Sequence, residues 1–158
     1  MAGPARQVVG RARLAGFRAA LDHHAMTLDP RYLARGDFRM DAAYEDCQRL
    51  LALDEPPTAL FVANNLMLIG VMRAIAERGL SVPGDISIAG IDDFAWAPAF
   101  RPALTVIRQP IAAMAEAALG RLIGRMRDEA LPPRHDLFTP ELIVRGSCAP
   151  PPLCGEDR

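Results

Sequence analysis

Polar side chains follow two short apolar runs near the middle of the chain, and their types suit the binding of a small molecule. Asn64 and Asn65 come directly after the first run, and Asp92 and Asp93 come directly after the second. Amides both donate and accept hydrogen bonds and carboxylates accept them, so such a group can recognise a polar ligand without reacting with it. The same residue types also cap helices and open turns, and for each residue alone that role stays open. Two polar pairs at two matching positions favour a site.

A β-α-β unit is predicted to position these residues. The runs 58–63 and 86–91 have the length of strands, residues 66–78 carry apolar side chains at helical spacing, and Gly79 stands where helices commonly end. Such a unit gives two parallel strands and a right-handed crossover. Since ligands of open α/β sheets bind outside the carboxyl ends of the strands, both polar pairs are expected at one edge of the sheet.

Helix and strand patterns alternate along the rest of the chain as well. This alternation predicts an α/β fold with a mainly parallel sheet flanked by helices. Further helices are predicted at 7–24, at 41–53 with Asp41 as N-cap, and at 110–128, and further strands at 33–37, 104–108 and 141–145.

The first predicted helix carries an arginine beside its apolar stripe. We expect the stripe to be buried, and it consists of Val8, Leu14, Phe17 and Leu21. Arg13 lies next to it, where a guanidinium can reach into a cleft. The commoner arrangement of such an arginine, with its stem along the protein and its charge in water, is the alternative.

Composition excludes several classes of function. A chain of 158 residues with 51% hydrophobic residues fits one domain, and a net charge of −1 argues against a nucleic-acid surface on this chain. No apolar run has the length of a membrane span or a signal peptide, so a cytoplasmic protein without membrane contact is expected. Cys47, Cys148 and Cys154 lack zinc-ligand spacing, and no cofactor fingerprint or nucleophile motif is present, so neither a metal, nor a cofactor, nor catalysis is predicted.

Five segments taken together carry a family resemblance. They are RARLAGF (11–17), PTALFVAN (57–64), GLSVPGDISIAGIDD (79–93), PALTVIRQ (102–109) and PELIVRGS (140–147). In this order and spacing they resemble the effector-binding domain of the LacI/GalR family of bacterial transcription regulators. The resemblance implies a lobe of the periplasmic binding protein-like type (type I), in which two α/β lobes close over a ligand while a separate helix-turn-helix reads DNA.

The resemblance also implies an effector site for a sugar or related polyol. It implies that an arginine binds effector oxygens, an aromatic ring lies against the ligand, an asparagine and an aspartate bond its hydroxyls, and a glutamine lies at the hinge crossover. Asn65 departs from the family, which usually has aspartate there, and is expected to cap a helix. The implied effector-binding residues are Arg13, Phe38, Asn64, Asp92 and Gln109, with Trp96 as a further candidate.

The resemblance implies an incomplete effector domain at 1–147, mostly the C-terminal lobe. Residues 109–138 resemble a helix of the N-terminal lobe, which is absent from this chain, and 148–158 are expected to be a disordered tail. A homodimer is expected through the helix 66–78 and the loop 94–100. DNA contact is expected only through a helix-turn-helix that is missing here, and ligand binding by this chain alone is expected to be weak.

Two other functions stay open beside that of a truncated ligand-sensing regulator. One is an interaction module that pairs with a full-length relative. The other is a small α/β enzyme that holds magnesium on Asp92 and Asp93, which is disfavoured because it lacks a nucleophile or a lysine partner.

Overall fold

The described residues form four helices and four strands, which follow one another in a mostly alternating order. The structure is a computed structural model that describes residues 1–128 and 130–151. Single turns of 3₁₀ helix lie at Pro30–Tyr32 and Ala97–Ala99. The elements are α1 (Val8–His23), α2 (Met40–Leu51), β1 (Ala59–Val62), α3 (Asn65–Glu77), β2 (Ser87–Ile91), β3 (Thr105–Arg108), α4 (Ile111–Arg127) and β4 (Glu141–Ile143).

The four strands form one sheet in the order β1-β2-β3-β4. β1, β2 and β3 are parallel, with Leu60 opposite Ile88 and Gly90 opposite Val106. β4 runs antiparallel to β3 at the far edge. The prediction of an α/β fold with a mainly parallel sheet is therefore confirmed, and the carboxyl ends of β1 and β2 lie at the same edge.

The core lies between the sheet and the pair α2 and α3. Leu68, Val71 and Ile75 of α3 are at most 1% exposed, as is Ile88 of β2. Burying one such side chain contributes roughly 1.5–3 kcal/mol, so this layer fixes the sheet that carries the polar residues. Cys47 of α2 is fully buried in the same layer, as expected of a small apolar side chain.

The predicted strand at 33–37 is wrong. Only one isolated parallel bridge forms there, between Ala2 and Arg35. Asp37 and Phe38 have φ angles of 52° and 59°, which end any extended run. α2 then begins at Met40 with Arg39 as N-cap, so Asp41 lies in the first turn rather than at the cap.

The stripe of α1 is only partly buried. Leu14, Phe17 and Leu21 are half-buried, whereas Val8 is 70% exposed, so the expectation for Val8 is wrong. The Phe17 ring of α1 stacks on the Phe61 ring of β1, with 5.4 Å between the ring centres.

The last helix and the end of the chain contribute little to the core. α4 contains no buried residue. Residues 148–151 have no regular secondary structure, and the rest of the predicted tail, 152–158, lies outside the described residues. Within the described part of the chain, none of the helices combines the length and the apolar character that crossing a membrane requires.

Candidate functional site

Arg13 joins three elements at the carboxyl end of β1. Its guanidinium donates to the carbonyl of Ala63 just beyond β1 and lies 3.6 Å from Oδ1 of Asp92 beyond β2. It also lies over the ring of Phe38, 5.7 Å from the ring centre. The Arg13 side chain is 19% exposed and that of Asp92 is 20% exposed, so both charges are partly withdrawn from water but still reachable by a ligand. The alternative of a solvated Arg13 head is wrong.

Asp92 contacts two other polar residues of the candidate site, Arg13 and Gln109. Its Oδ1 faces Arg13 and also accepts a hydrogen bond from Nε2 of Gln109, which follows β3. The backbone N–H of Asp92 donates to the carbonyl of Ile107, which anchors the residue to the sheet. Its φ of 76° lies in the left-handed region, which costs of the order of 1 kcal/mol or more outside glycine. Such strain, held in place by the sheet, is typical of residues that position a ligand.

Phe38 lies against the N-terminal segment. Like Asp92, it has a backbone φ in the left-handed region, at 59°. Its ring covers Gly3, where an added Cβ would lie 2.1 Å from the ring. Only glycine at position 3 therefore leaves room for the ring in this place. The carbonyl of Phe38 accepts a hydrogen bond from Nδ2 of Asn64 at 3.4 Å, which ties the aromatic residue to the end of β1.

Asn64 has both of the roles that its type allows. Its Oδ1 accepts from the backbone N–H of Met67 at 2.9 Å, which makes it the N-cap of α3. Its side-chain nitrogen at the same time donates to the carbonyl of Phe38, which places the amide group at the candidate site. Asn65 is the first helical residue rather than the N-cap, so its predicted capping role is wrong; its Oδ1 accepts only from the next N–H, that of Leu66.

Asp93 does not join the site. Its two oxygens accept hydrogen bonds from Nη1 and Nη2 of Arg145 at 3.0 and 2.9 Å, and Arg108 lies at 4.0 Å. The hydrogen bonds from Arg145 lower the pKa of the Asp93 carboxyl below its usual 3.8. Arg145 is a structural residue that the sequence did not reveal, because a single arginine after a strand gives no pattern.

The carboxylates of Asp92 and Asp93 are therefore paired with different guanidinium groups. This arrangement does not leave two carboxylates to share one cation. Among the described residues, no group of three or more His, Cys, Asp or Glu side chains could hold a metal ion.

Trp96 lies in the loop after β2, among aromatic rings. It packs edge-to-face on Phe94 at 5.2 Å, and Phe94 packs on Phe100 at 6.2 Å. More than half of the Trp96 side chain is exposed. Contact between Trp96 and a ligand or a second subunit stays a prediction.

The fold and the site at the strand ends define a periplasmic binding protein-like domain. The family described by that name matches residues 1–148, so the chain belongs to this family. Within it, the relatives are regulators of the LacI family. The HTH-type transcriptional repressor PurR of Escherichia fergusonii is 36% identical over 151 residues, which are 96% of this chain and 44% of PurR. The chain thus spans less than half the length of this curated relative.

Solved structures give the same assignment. A sugar-binding LacI-family regulator from Escherichia coli, complexed with phosphate, has a TM-score of 0.81 and 35% identity and covers 94% of this chain and 54% of its own. The regulator CelR in complex with cellobiose has a TM-score of 0.86 and 31% identity, over 93% of this chain and 45% of its own. These relatives are transcriptional regulators rather than enzymes, which supports the prediction that the chain is not an enzyme.

Proposed function

We propose that this chain is the ligand-sensing part of a LacI-type regulator and binds a sugar or related polyol with Arg13, Phe38, Asn64, Asp92 and Gln109. The observation that carries the proposal is the convergence of these five residues, which come from five separate segments, at one edge of the sheet. A purely structural role would not require a strained aspartate and a strained phenylalanine at the same edge.

The chemistry of the group suits adjacent hydroxyls. Arg13 offers a fork of donors, Asp92 accepts only, and the amides of Asn64 and Gln109 do both. The ring of Phe38 can cover the C–H face of a pyranose or furanose. A ligand hydroxyl that donates to Asp92 in place of the Gln109 amide can itself accept from that amide, so neither group is left unpaired.

Gln109 gives the site a connection to the rest of the regulator. It directly precedes Pro110, the N-cap of α4. We assign residues 109–138 to the N-terminal lobe of the effector domain, because α4 buries no residue here and presents an apolar face to solvent. A ligand that competes for Asp92 therefore acts on the crossover between the lobes, which is the geometry of a hinge.

The partners of the whole protein follow from the same proposal. DNA binding belongs to a headpiece outside this chain, consistent with the net charge of −1. A homodimer would use α3 and the loop 94–100, where Leu66 is 50% exposed and Trp96 is 55% exposed. A second candidate function, an interaction module that pairs with a full-length relative, is supported by the exposed apolar residues of α4.

Equilibrium dialysis against labelled pentoses, hexoses and disaccharides tests the proposed site. We expect at least one sugar to bind, with a dissociation constant weaker than about 1 μM because this chain contributes one side of the cleft. Asp92→Asn should weaken that binding at least about tenfold, since it removes the charge that orients Arg13 and the ligand hydroxyls. Asparagine tolerates the left-handed backbone, so the fold should persist.

Asp93→Asn is the matched control, because it changes the neighbouring carboxylate that faces Arg145 instead of the site. It should lower the thermal midpoint and leave the affinity unchanged. Equal loss of affinity in both variants, or no sugar bound by a longer regulator that carries the same five residues, would contradict the proposal.

A further inference from the structure

The tip of the Phe38 ring occupies the space that a side chain at position 3 would need. A Cβ at Gly3 would lie 2.1 Å from Cζ and 2.3 Å from Cε1 of this ring, whereas carbon atoms in contact lie about 3.5 Å or more apart. The φ angle of Gly3 is outside the left-handed region, so the backbone itself would accept alanine. The missing side chain at position 3 therefore makes room for the ring and does not serve the chain conformation.

The backbone at Gly3 has little freedom to withdraw from the ring, because α1 packs directly against the same segment. A Cβ at Gly10 of α1 would lie 2.4 Å from the carbonyl oxygen of Pro4 and 3.0 Å from the carbonyl carbon of Gly3. The N–H of Ala2 also donates to the carbonyl of Ala34 at 2.7 Å. Gly3, Pro4 and Gly10 are all buried. Contact with α1 and the hydrogen bond of Ala2 thus fix this segment.

Hydrogen bonds also hold the backbone of Phe38. Its carbonyl accepts from Nδ2 of Asn64 at 3.4 Å. The N–H of Arg39 donates to the carbonyl of Gly36 at 2.8 Å, which closes the turn that contains Phe38. The far end of the ring, by contrast, can swing about two side-chain torsions. A side chain at position 3 would therefore displace the ring and leave both backbone segments in place.

We infer that Gly3 is a positioning residue for ligand binding, because it fixes the place of the Phe38 ring relative to Arg13. The inference rests on the proposed function, in which a sugar lies against this ring. The Arg13 guanidinium lies 5.7 Å from the ring centre. A ring displaced from Gly3 by more than about 1 Å no longer keeps its distance from Arg13 or from a sugar stacked on it. A methyl group at position 3 would thus weaken sugar binding without touching the sugar.

Equilibrium dialysis of Gly3→Ala against labelled pentoses, hexoses and disaccharides tests this inference. We expect the sugar that binds the unsubstituted chain to bind this variant about fivefold more weakly or worse, since stacking on a ring requires close contact. The thermal midpoint should fall by less than about 5 °C, because only the ring moves. Gly16→Ala is the matched control, since a Cβ there meets nothing within 4 Å, and it should leave the affinity unchanged.

Phe38→Leu provides the second arm, because it removes the ring tip that an added methyl group at position 3 would meet. In this background Gly3→Ala should change the affinity by less than about twofold, since the two substitutions act on one contact. A general disturbance of the fold by Gly3→Ala would instead weaken binding equally in both backgrounds.

A measurement without ligand separates the failure of this inference from the failure of the proposed function. Because the Arg13 guanidinium lies over the Phe38 ring, the NMR signal of the Arg13 Nε–H carries a ring-current shift. Gly3→Ala should change this shift, and Gly16→Ala should not. If no sugar binds the unsubstituted chain, the proposed function fails, and an altered Arg13 signal still supports the placing of the ring by Gly3, whereas an unaltered one overturns it. If a sugar binds, an affinity that Gly3→Ala leaves unchanged, or lowers equally in both backgrounds, would overturn the inference alone.

Discussion

Two neighbouring aspartates at the end of β2 show what residue types alone can and cannot predict. Their place at a strand end was predictable from the apolar run before them. Their different roles were not, because Asp92 leaves the strand conformation with a φ of 76° and the partners of both residues lie far away in sequence. Asp92 turns to Arg13 and Gln109, and Asp93 turns to Arg145.

The candidate site residues also differ in whether the sequence pattern alone could indicate them. Asn64 and Asp92 could be proposed from the β-α-β pattern itself, whereas Phe38 and Gln109 came only from the family resemblance. The fit between Phe38 and Gly3 lies in the packing of two distant segments, and no local pattern indicates it.

The Asp93–Arg145 pair predicts how stability changes in acid. Its hydrogen bonds lower the pKa of Asp93 below 3.8, so the folded state favours the ionised carboxylate. The contribution to stability is complete above pH about 4 and is lost as the pH falls through the lowered pKa. At pH 7, Asp93→Asn should cost about 2 kcal/mol, since it leaves the half-buried guanidinium of Arg145 poorly paired. Urea unfolding between pH 2 and pH 7 measures this, and the loss of stability in acid should be smaller in the variant.

Glu141→Gln is the control for that experiment. Glu141 pairs with Arg108 at 3.3 Å in the same region, but its side chain is 69% exposed. Exposed pairs contribute little, so the change should stay within about 0.5 kcal/mol. If Glu141→Gln lowered the free energy of unfolding as much as Asp93→Asn, the bidentate hydrogen bonds between Asp93 and Arg145 would not explain the stability of this region.

At the scale of the element, the amphipathic pattern determined most of the fold. β1, α3 and β2 lie within one or two residues of their predicted limits, because each combines a clear apolar period with a cap or a turn. The segment 33–37 failed for the opposite reason. It is short and ends in Gly36 and Asp37, two residue types that are depleted in strands.

Close contact between α2 and α3 depends on one glycine. A Cβ added at Gly70 would lie 2.2 Å from the backbone carbonyl of Met40, and that atom cannot move without shifting α2. Gly70→Ala should therefore destabilise the fold by about 2 kcal/mol or more, measured by urea unfolding. The matched control is Gly16→Ala in α1, where an added Cβ meets nothing within 4 Å. That change should stabilise by up to about 1 kcal/mol through helix propensity, and equal losses in both helices would refute the contact argument.

On the scale of the molecule, the two ends of the sheet differ in completeness. The β1 end has a core layer of two helices, whereas β4 and α4 add exposed apolar surface. Leu142 of β4 is 62% exposed and Val144, just beyond it, is 73% exposed. Exposed apolar side chains that lie close together in this way commonly mark a surface that contacts a partner.

The apolar face of α4 gives the last prediction. We define this face by Ile111, Leu119, Leu122 and Met126, each at least 57% exposed. An apolar face of this size drives association in water, so the chain should self-associate as its concentration rises, measured by sedimentation velocity. Leu122→Glu places a charge at the centre of the face and should shift the chain towards monomer. Because Leu122 is 59% exposed, the thermal midpoint should change little. Ala113→Glu puts the same charge on the opposite side of α4 and should leave association unchanged; if both variants dissociate the chain alike, net charge rather than the apolar face controls its assembly.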